Sequence, residues 1–144
     1  MRIVLDSNEL VRAFASELGP ASALLESFIG SAHTLVLSNE ILAELSRVLR
    51  YSRFLAAHLQ SEEEVYAFNE RLRMIAVIVT VNPLTSAPIR DPRDADVLRT
   101  AIHGGARILC TCDRDFFEPP ASVFLASRGL EVLTDTELLR RLRQ

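Results

Sequence analysis

Lysine is absent from this chain of 144 residues, and all 16 of its basic residues are arginine. This absence excludes mechanisms that need an active-site lysine, namely Walker A phosphate binding, Schiff-base chemistry and receiver-domain phosphorelay. No apolar run approaches the ~18–20 residues that span a bilayer. The short apolar N-terminus also lacks the features of a signal peptide. We therefore expect a cytoplasmic protein without a membrane partner.

Cysteine is also scarce, because the chain has only Cys110 and Cys112. Two residues apart in an apolar run, they are expected to point to the same face of a strand, where they are poorly placed to form a disulfide. Without a second group of cysteines or histidines they are a weak indication of zinc. We interpret both as core or near-core residues.

The hydrophobic content of 49% and the charged content of 24% are typical of one domain with a sizeable core. Apolar runs alternate with helical patterns along the whole chain, which predicts a parallel sheet covered on both faces. We expect a single α/β/α domain over residues 1–144, with a central, mainly parallel sheet of about five strands. The predicted strands are Met1–Leu5, Thr34–Leu37, Val77–Val81, Arg107–Thr111 and Leu130–Leu133. Residues Tyr51–Leu59 are predicted to be helical.

Acidic residues follow four of the five predicted strands. Asp6 follows the first strand, and Glu44 lies on the helix after the second. Asp94 lies near the start of the helix after the third strand, and Asp113 and Asp115 follow the fourth. Ligands of open parallel sheets bind outside the carboxyl ends of the strands, so these side chains are expected to share one edge.

Such a cluster repels itself and raises its own pKa values unless a cation is bound. Oxygen ligands select the hard ions Mg²⁺ or Mn²⁺. One or two such ions can polarise a phosphodiester and activate a water molecule as the nucleophile. Simpler interpretations stay open, because four of the acids could belong to helix or turn caps and Glu44 could be a solvated helix acid.

Helical geometry distinguishes Asp94 from Asp96, two acids near the start of the helix that follows the third predicted strand. At 100° per residue, Asp94 falls on the apolar side that Val97 and Leu98 define, whereas Asp96 falls on the solvent side. We therefore favour Asp94 as the third acid of the cluster, and Asp96 is the alternative.

Although the net charge is −3, the chain without its candidate metal ligands is weakly basic. Of 19 acidic residues, five are candidate ligands, so that 14 remain against 16 arginines. Arg90, Arg93 and Arg114 lie beside the candidate ligands in the sequence and are candidate contacts to substrate phosphates. Surface ion pairs are an equally open interpretation of all three.

Four motifs, taken in order, resemble the PIN-domain family of metal-dependent ribonucleases and in particular VapC-like toxins of bacterial toxin–antitoxin systems. They are the opening segment Ile3-Val4-Leu5-Asp6-Ser7-Asn8, the pair Glu44-Leu45, the helix start Asp91-Pro92-Arg93-Asp94, and the segment Thr111-Cys112-Asp113-Arg114-Asp115-Phe116. The resemblance covers nearly the whole chain. Each motif alone is weak, but the ordered set is fairly specific.

The resemblance implies a PIN-like fold and a catalytic, metal-binding quartet of acids: Asp6, Glu44, Asp94 and Asp113. It further implies Asp115 as an additional metal ligand, with Asn8 and Thr111 in supporting positions. Glu9 departs from the family pattern, which usually has an aliphatic residue there; an exposed helix position would accommodate its charge.

By the same resemblance, the expected activity is endoribonuclease cleavage of RNA with Mg²⁺ or Mn²⁺. Homodimerisation and inhibition by a cognate antitoxin protein are implied as well. A catalytically silent PIN-like module that binds RNA or regulates a partner is the main alternative. A haloacid-dehalogenase-like phosphatase is less favoured, since it needs a second aspartate where Asn8 stands.

Overall fold

The computed structural model describes residues 1–51 and 61–144. Its five strands are β1 (Arg2–Leu5), β2 (Thr34–Ser38), β3 (Ala76–Val79), β4 (Ile108–Cys110) and β5 (Glu131–Leu133). All neighbouring pairs are parallel, in the order β3-β2-β1-β4-β5. The predicted parallel sheet of five strands is thus confirmed. The helix predicted from Tyr51 to Leu59 falls almost wholly on residues 52–60, outside the described residues.

Seven α-helices of the described residues complete the three-layer α/β/α arrangement. They are α1 (Ser7–Ala15), α2 (Pro20–Ser27), α3 (Asn39–Leu49), α4 (Glu62–Ile75), α5 (Ala95–His103), α6 (Ala121–Ser127) and α7 (Asp135–Leu142). Two single 3₁₀ turns span Pro92–Asp94 and Arg114–Phe116. None of the described helices is long and apolar enough to cross a membrane.

Several helices begin where a hydroxyl side chain accepts a backbone hydrogen bond. Ser38 caps α3 by accepting from the backbone of Ile41, and Ser61 caps α4 in the same way. Thr134 and Glu137 form a reciprocal capping box at the start of α7. These caps satisfy N–H groups that have no partner within a helix. They therefore determine the residue at which each of these helices begins.

The register of the sheet brings the ends of three strands to one level. Leu5 of β1 pairs with Cys110 of β4, which pairs with Leu133 of β5. The backbone N–H of Asp6 continues this ladder by donating to the carbonyl oxygen of Cys110 at 3.0 Å. The residues that follow β1, β4 and β5 are therefore neighbours in space although they are distant in sequence.

The helix predicted from Pro92 differs from the observed one at its start. Pro92–Asp94 forms a 3₁₀ turn before α5 begins at Ala95. The Asp91 side chain accepts from the backbone N–H of Arg93 and so stabilises the tight turn. As a result, Asp94 lies on a turn beside the carboxyl edge of the sheet rather than on a regular helical face.

Gly104 ends α5 where this helix meets β2. A Cβ atom at this position would overlap Cγ1 of Val36 and lie 2.9 Å from the carbonyl oxygen of Thr100. Only the absence of a side chain permits such a close approach of a helix end to a strand.

We predict that Gly104→Ala lowers the free energy of unfolding by about 1–3 kcal/mol through overpacking. Val36→Ala removes the principal clashing group, so the cost of Gly104→Ala should be smaller in that background. Urea denaturation of the four proteins of this double-mutant cycle measures the coupling. Equal costs in both backgrounds would contradict the assigned contact.

Candidate metal centre

Asp6 is a buried acid at the carboxyl edge of the sheet, with an exposed fraction of 1%. One carboxylate oxygen accepts from the Thr111 hydroxyl at 2.8 Å, and the other accepts from the Ser7 hydroxyl at 3.4 Å. Asp6 occupies the N-cap position of α1, but its side chain accepts no capping hydrogen bond. The simple capping role considered for Asp6 is therefore not observed.

Thr111 links the ends of the neighbouring strands β1 and β4 at this edge. Its buried hydroxyl donates to Asp6 and accepts from the backbone N–H of Asp113 at 3.0 Å. The single hydroxyl hydrogen is thereby directed at the Asp6 carboxylate, and the lone pairs hold the start of the turn that carries Asp113. The supporting role that the family resemblance implies for Thr111 stays a prediction.

Three further carboxylates meet beside Asp6. Asp94, Asp113 and Asp115 each offer an oxygen atom within 4.8 Å of the other two. Asp94 comes from the turn before α5, whereas the other two come from the turn after β4, where Asp113 also accepts from the backbone N–H of Asp115 at 3.0 Å. All three side chains are partly buried. We call Asp6, Asp94, Asp113 and Asp115 the acidic cluster.

The acidic cluster carries uncompensated negative charge. Burial, followed by the charges of Asp113 and Asp6, raises the pKa of Asp94 to about 7. Burial also raises the pKa of Asp6, against the lowering effect of the Thr111 hydrogen bond. Arg90 approaches Asp115 no closer than 3.9 Å and is itself mostly exposed, so it compensates little of this charge.

These residues fit a hard divalent cation. The donors are all oxygen atoms, they converge from three separate chain segments, and their mutual repulsion is relieved by a bound positive charge. Mg²⁺ and Mn²⁺ both prefer such ligands. The donor set therefore agrees with the metal preference predicted from the sequence, without distinguishing the two ions.

Glu44 is not part of the acidic cluster. Arg47, one turn later on α3, holds its carboxylate with hydrogen bonds of 2.7 and 3.1 Å. Glu44 lines an adjacent cleft of about 320 Å³ together with Ser7, Arg93 and other residues. A role for Glu44 as a ligand stays a prediction, and it requires the side chain to leave Arg47.

The choice between Asp94 and Asp96 agrees with the observed surroundings. Asp96 pairs with Arg99 at 3.0 Å, and it lines the same cleft as Glu44 rather than the acidic cluster. Asp94 is the acid of this helix start that contacts the other aspartates. The geometry therefore supports Asp94 as the third acid, and its catalytic role stays a prediction.

The remaining predicted residues have varied surroundings. Asn8 is exposed on the first turn of α1, and its side chain makes no hydrogen bond within residues 1–51 and 61–144. Arg93 is held by Asp91 through a two-pronged ion pair. Arg114 is exposed and has no ion pair with any described residue. Of the predicted phosphate contacts, Arg114 is therefore the most available.

A second group of side chains at the same edge was not predicted as a site. Glu9, Cys112 and Asp135 each offer a ligand atom within 4.8 Å of the other two. Glu9 does not occupy the exposed helix position that would accommodate its charge, because its side chain is fully buried. Asp135 is not among the predicted site residues. It follows β5, so the edge rule that located the other acids, applied to this last strand, would have found it.

Comparison with known proteins identifies the family. The PIN domain family model matches residues 2–115, a span that contains the whole acidic cluster. The chain belongs to the PIN domain family. A search of curated proteins found no significant match.

The PIN fold of this chain is also similar to a solved structure. It matches a chain in the crystal structure of VapBC2 from Rickettsia felis bound to a DNA fragment from the promoter. The match has a TM-score of 0.64 and 18% sequence identity, and it covers 93% of this chain and 98% of the other. At this identity the similarity shows the fold.

We predict that Asp94→Asn stabilises the metal-free protein at about pH 8. The folded-state pKa of Asp94 is raised to about 7, so folding opposes its ionisation, and the wild-type protein loses stability as the pH rises from about 4 to about 7. Asparagine carries no such penalty. Thermal unfolding in EDTA should show a higher Tm for the variant, where about 1 kcal/mol corresponds to roughly 2–4 °C for a domain near this size.

The difference in Tm should disappear near pH 4, where Asp94 is protonated in the folded state. Added Mg²⁺ should raise the Tm of the wild-type protein more than that of the variant. A variant less stable than the wild type in EDTA at about pH 8 would show that burial and repulsion of the Asp94 carboxylate do not dominate at this residue.

Proposed function

We propose that this PIN-domain protein is a metal-dependent endoribonuclease that hydrolyses RNA phosphodiesters, and that it is the VapC-like toxin of a toxin–antitoxin pair. The observation that carries the proposal is the acidic cluster itself: four aspartates from three separate chain segments converge at the carboxyl edge of the sheet. No histidine, lysine or serine nucleophile is needed for this chemistry.

The four aspartates of the acidic cluster share the proposed task of binding the metal ion. Asp94, Asp113 and Asp115 would hold the Mg²⁺ or Mn²⁺ ion, and Asp6 would complete the site from its buried position against Thr111. The bound ion supplies Lewis-acid polarisation of the phosphodiester and a lowered pKa of the attacking water. The chain supplies orientation, because Thr111 fixes both Asp6 and the turn that carries Asp113.

Glu44 completes the proposed quartet when Arg47 releases it. Both side chains are partly exposed, at 38% for Glu44 and 50% for Arg47. An exposed ion pair of this kind contributes little stability, about 0–1 kcal/mol, so a rotamer change is inexpensive. Asn8 lies on the same first turn of α1 as Ser7 and is exposed to an incoming substrate.

The proposed substrate and partners follow the same reasoning. Arg114 lies within the turn that carries Asp113 and Asp115 and offers a forked contact for a phosphate of RNA. Arg90 and Arg93 are available once they leave their acidic partners. A cognate antitoxin is proposed because a similar solved fold is from a VapBC complex. A homodimer is proposed from the family resemblance alone. The cytoplasmic location stays a prediction.

A catalytically silent PIN-like module that binds RNA or regulates a partner is the second candidate. The observation that favours it is the ion pair of Glu44 with Arg47, which leaves this acid outside the acidic cluster. A silent module would bind RNA without cleaving it in the presence of Mg²⁺ or Mn²⁺.

We predict that Asp6→Asn, Asp94→Asn and Asp113→Asn each abolish cleavage of single-stranded RNA in Mg²⁺ or Mn²⁺. Because the loss of an outer partner of a metal ligand costs about 10–100-fold, removal of a ligand should cost at least about 100-fold. Asp96→Asn is the matched control and should keep near wild-type activity. Circular dichroism verifies that each variant is folded.

A wild-type protein that binds RNA but does not cleave it would favour the silent module. An inactive Asp96→Asn together with an active Asp94→Asn would transfer the role of the third acid to Asp96.

We predict that Arg114→Gln weakens RNA binding and reduces its dependence on salt. One lost phosphate contact should lower the slope of log K against log salt by about 0.7 for a single strand. Binding is measured by fluorescence anisotropy in the inactive Asp94→Asn background. The control is Arg141→Gln, because Arg141 pairs with Glu131 at the opposite edge of the sheet. Equal slopes for both variants would exclude a phosphate contact at Arg114.

A further inference from the structure

Glu9, Cys112 and Asp135 form a mixed cluster that the proposed nuclease chemistry does not use. Their side chains come from α1, from the segment after β4 and from the start of α7. Each offers one ligand atom within 4.8 Å of the other two. Cys112 also donates a weak hydrogen bond to Asp135 at 3.7 Å. We call these three residues the thiol–carboxylate cluster.

Glu9 is aimed into this cluster with a carboxylate oxygen that has no partner. Its side chain is 0% exposed, and its Oε2 atom makes no hydrogen bond within the described parts of the chain. Burial raises the pKa of Glu9 to about 7. A buried carboxylate oxygen without a donor costs free energy, so an additional positively charged ligand would be favourable there.

Arg12 partly compensates the cluster from its solvent side. Its Nη1 atom lies 3.1 Å from Asp135, 3.2 Å from the sulfur of Cys112 and 3.5 Å from Glu9 Oε1. The Arg12 side chain is 50% exposed, which leaves it room to withdraw toward solvent. The guanidinium marks the position where a cation is attracted, and it leaves Oε2 of Glu9 unsatisfied.

We propose that Glu9, Cys112 and Asp135 are the ligands of a second metal site, which binds a divalent transition-metal ion of the zinc class. A thiolate beside two carboxylates favours such an ion over Mg²⁺, which prefers oxygen ligands alone. Three protein ligands are sufficient for zinc when water occupies the fourth position.

Charge and proton balance are consistent with this site. The ion replaces the thiol proton of Cys112 and any proton on Glu9, and both protons pass to the solvent. Three anionic ligands and a divalent ion leave one negative charge, which Arg12 can balance from the rim of the site. The bound ion would join α1 to the segments that follow β4 and β5.

Cobalt substitution tests the sulfur ligand directly. We expect Co²⁺ added to the reduced, metal-free chain to give the intense near-ultraviolet absorption of a thiolate–cobalt bond, and Zn²⁺ to abolish it by displacement. Cys112→Ser should remove the band. Cys110→Ala is the matched control and should keep it, as should Asp94→Asn, because the acidic cluster offers oxygen alone.

The two carboxylates are tested by calorimetric titration with Zn²⁺ in the Asp94→Asn background. We expect Glu9→Gln and Asp135→Asn each to weaken binding at least about tenfold. If one variant does not fold, the other gives the same comparison.

The absence of a thiolate–cobalt band in the folded wild-type protein would overturn the proposal. A band that persists in Cys112→Ser would overturn it too. A band lost in Cys112→Ser, with Zn²⁺ affinity unchanged by both carboxylate variants, would exclude the three-residue site.

Discussion

The burial and the mutual repulsion of carboxylates at the carboxyl edge of the sheet are together the constraint on which the rest of this structure depends. The pairing of Leu5 with Cys110 places Asp6 and Thr111 at the same level, and the turn before α5 adds Asp94 to them. Since burial and neighbouring charge both disfavour ionisation of Asp94, the free energy of the folded chain depends on pH and on bound cations together. A site that is unfavourable when empty is one that binds a cation strongly.

Thr111 lowers the free-energy cost of burying the acidic cluster in the folded protein. A carboxylate as buried as Asp6 needs a donor, and the hydroxyl of Thr111 supplies one at 2.8 Å while accepting from the backbone of Asp113. The same side chain therefore lowers the cost of burying Asp6 and sets the position of the next acid. Stability and the geometry of the candidate site depend here on one hydroxyl group.

The fold and most of the acidic cluster could be predicted from the sequence, because both follow from short-range patterns. Apolar runs identify the strands, and parallel pairing brings the residue after each strand to one edge. The pairing of Glu44 with Arg47 was not predicted, because a helical wheel gives the direction of a side chain but not its choice between competing partners. The burial of Glu9 was missed for another reason: Cys112 and Asp135, which cover it, lie more than a hundred residues away and on separate segments.

The two clusters at this edge are separated by the alternation of an extended backbone. Thr111 and Asp113 face the acidic cluster, whereas Cys112 between them contacts Arg12 and Asp135. Successive side chains of an extended segment point to opposite sides, so three consecutive residues serve two environments of different donor chemistry. One side offers oxygen atoms alone and the other adds sulfur, and the ligand preferences of hard and borderline ions differ accordingly. Any shift of this segment that follows cation binding on one side would move the ligands on the other, because the backbone of residues 111–113 is common to both.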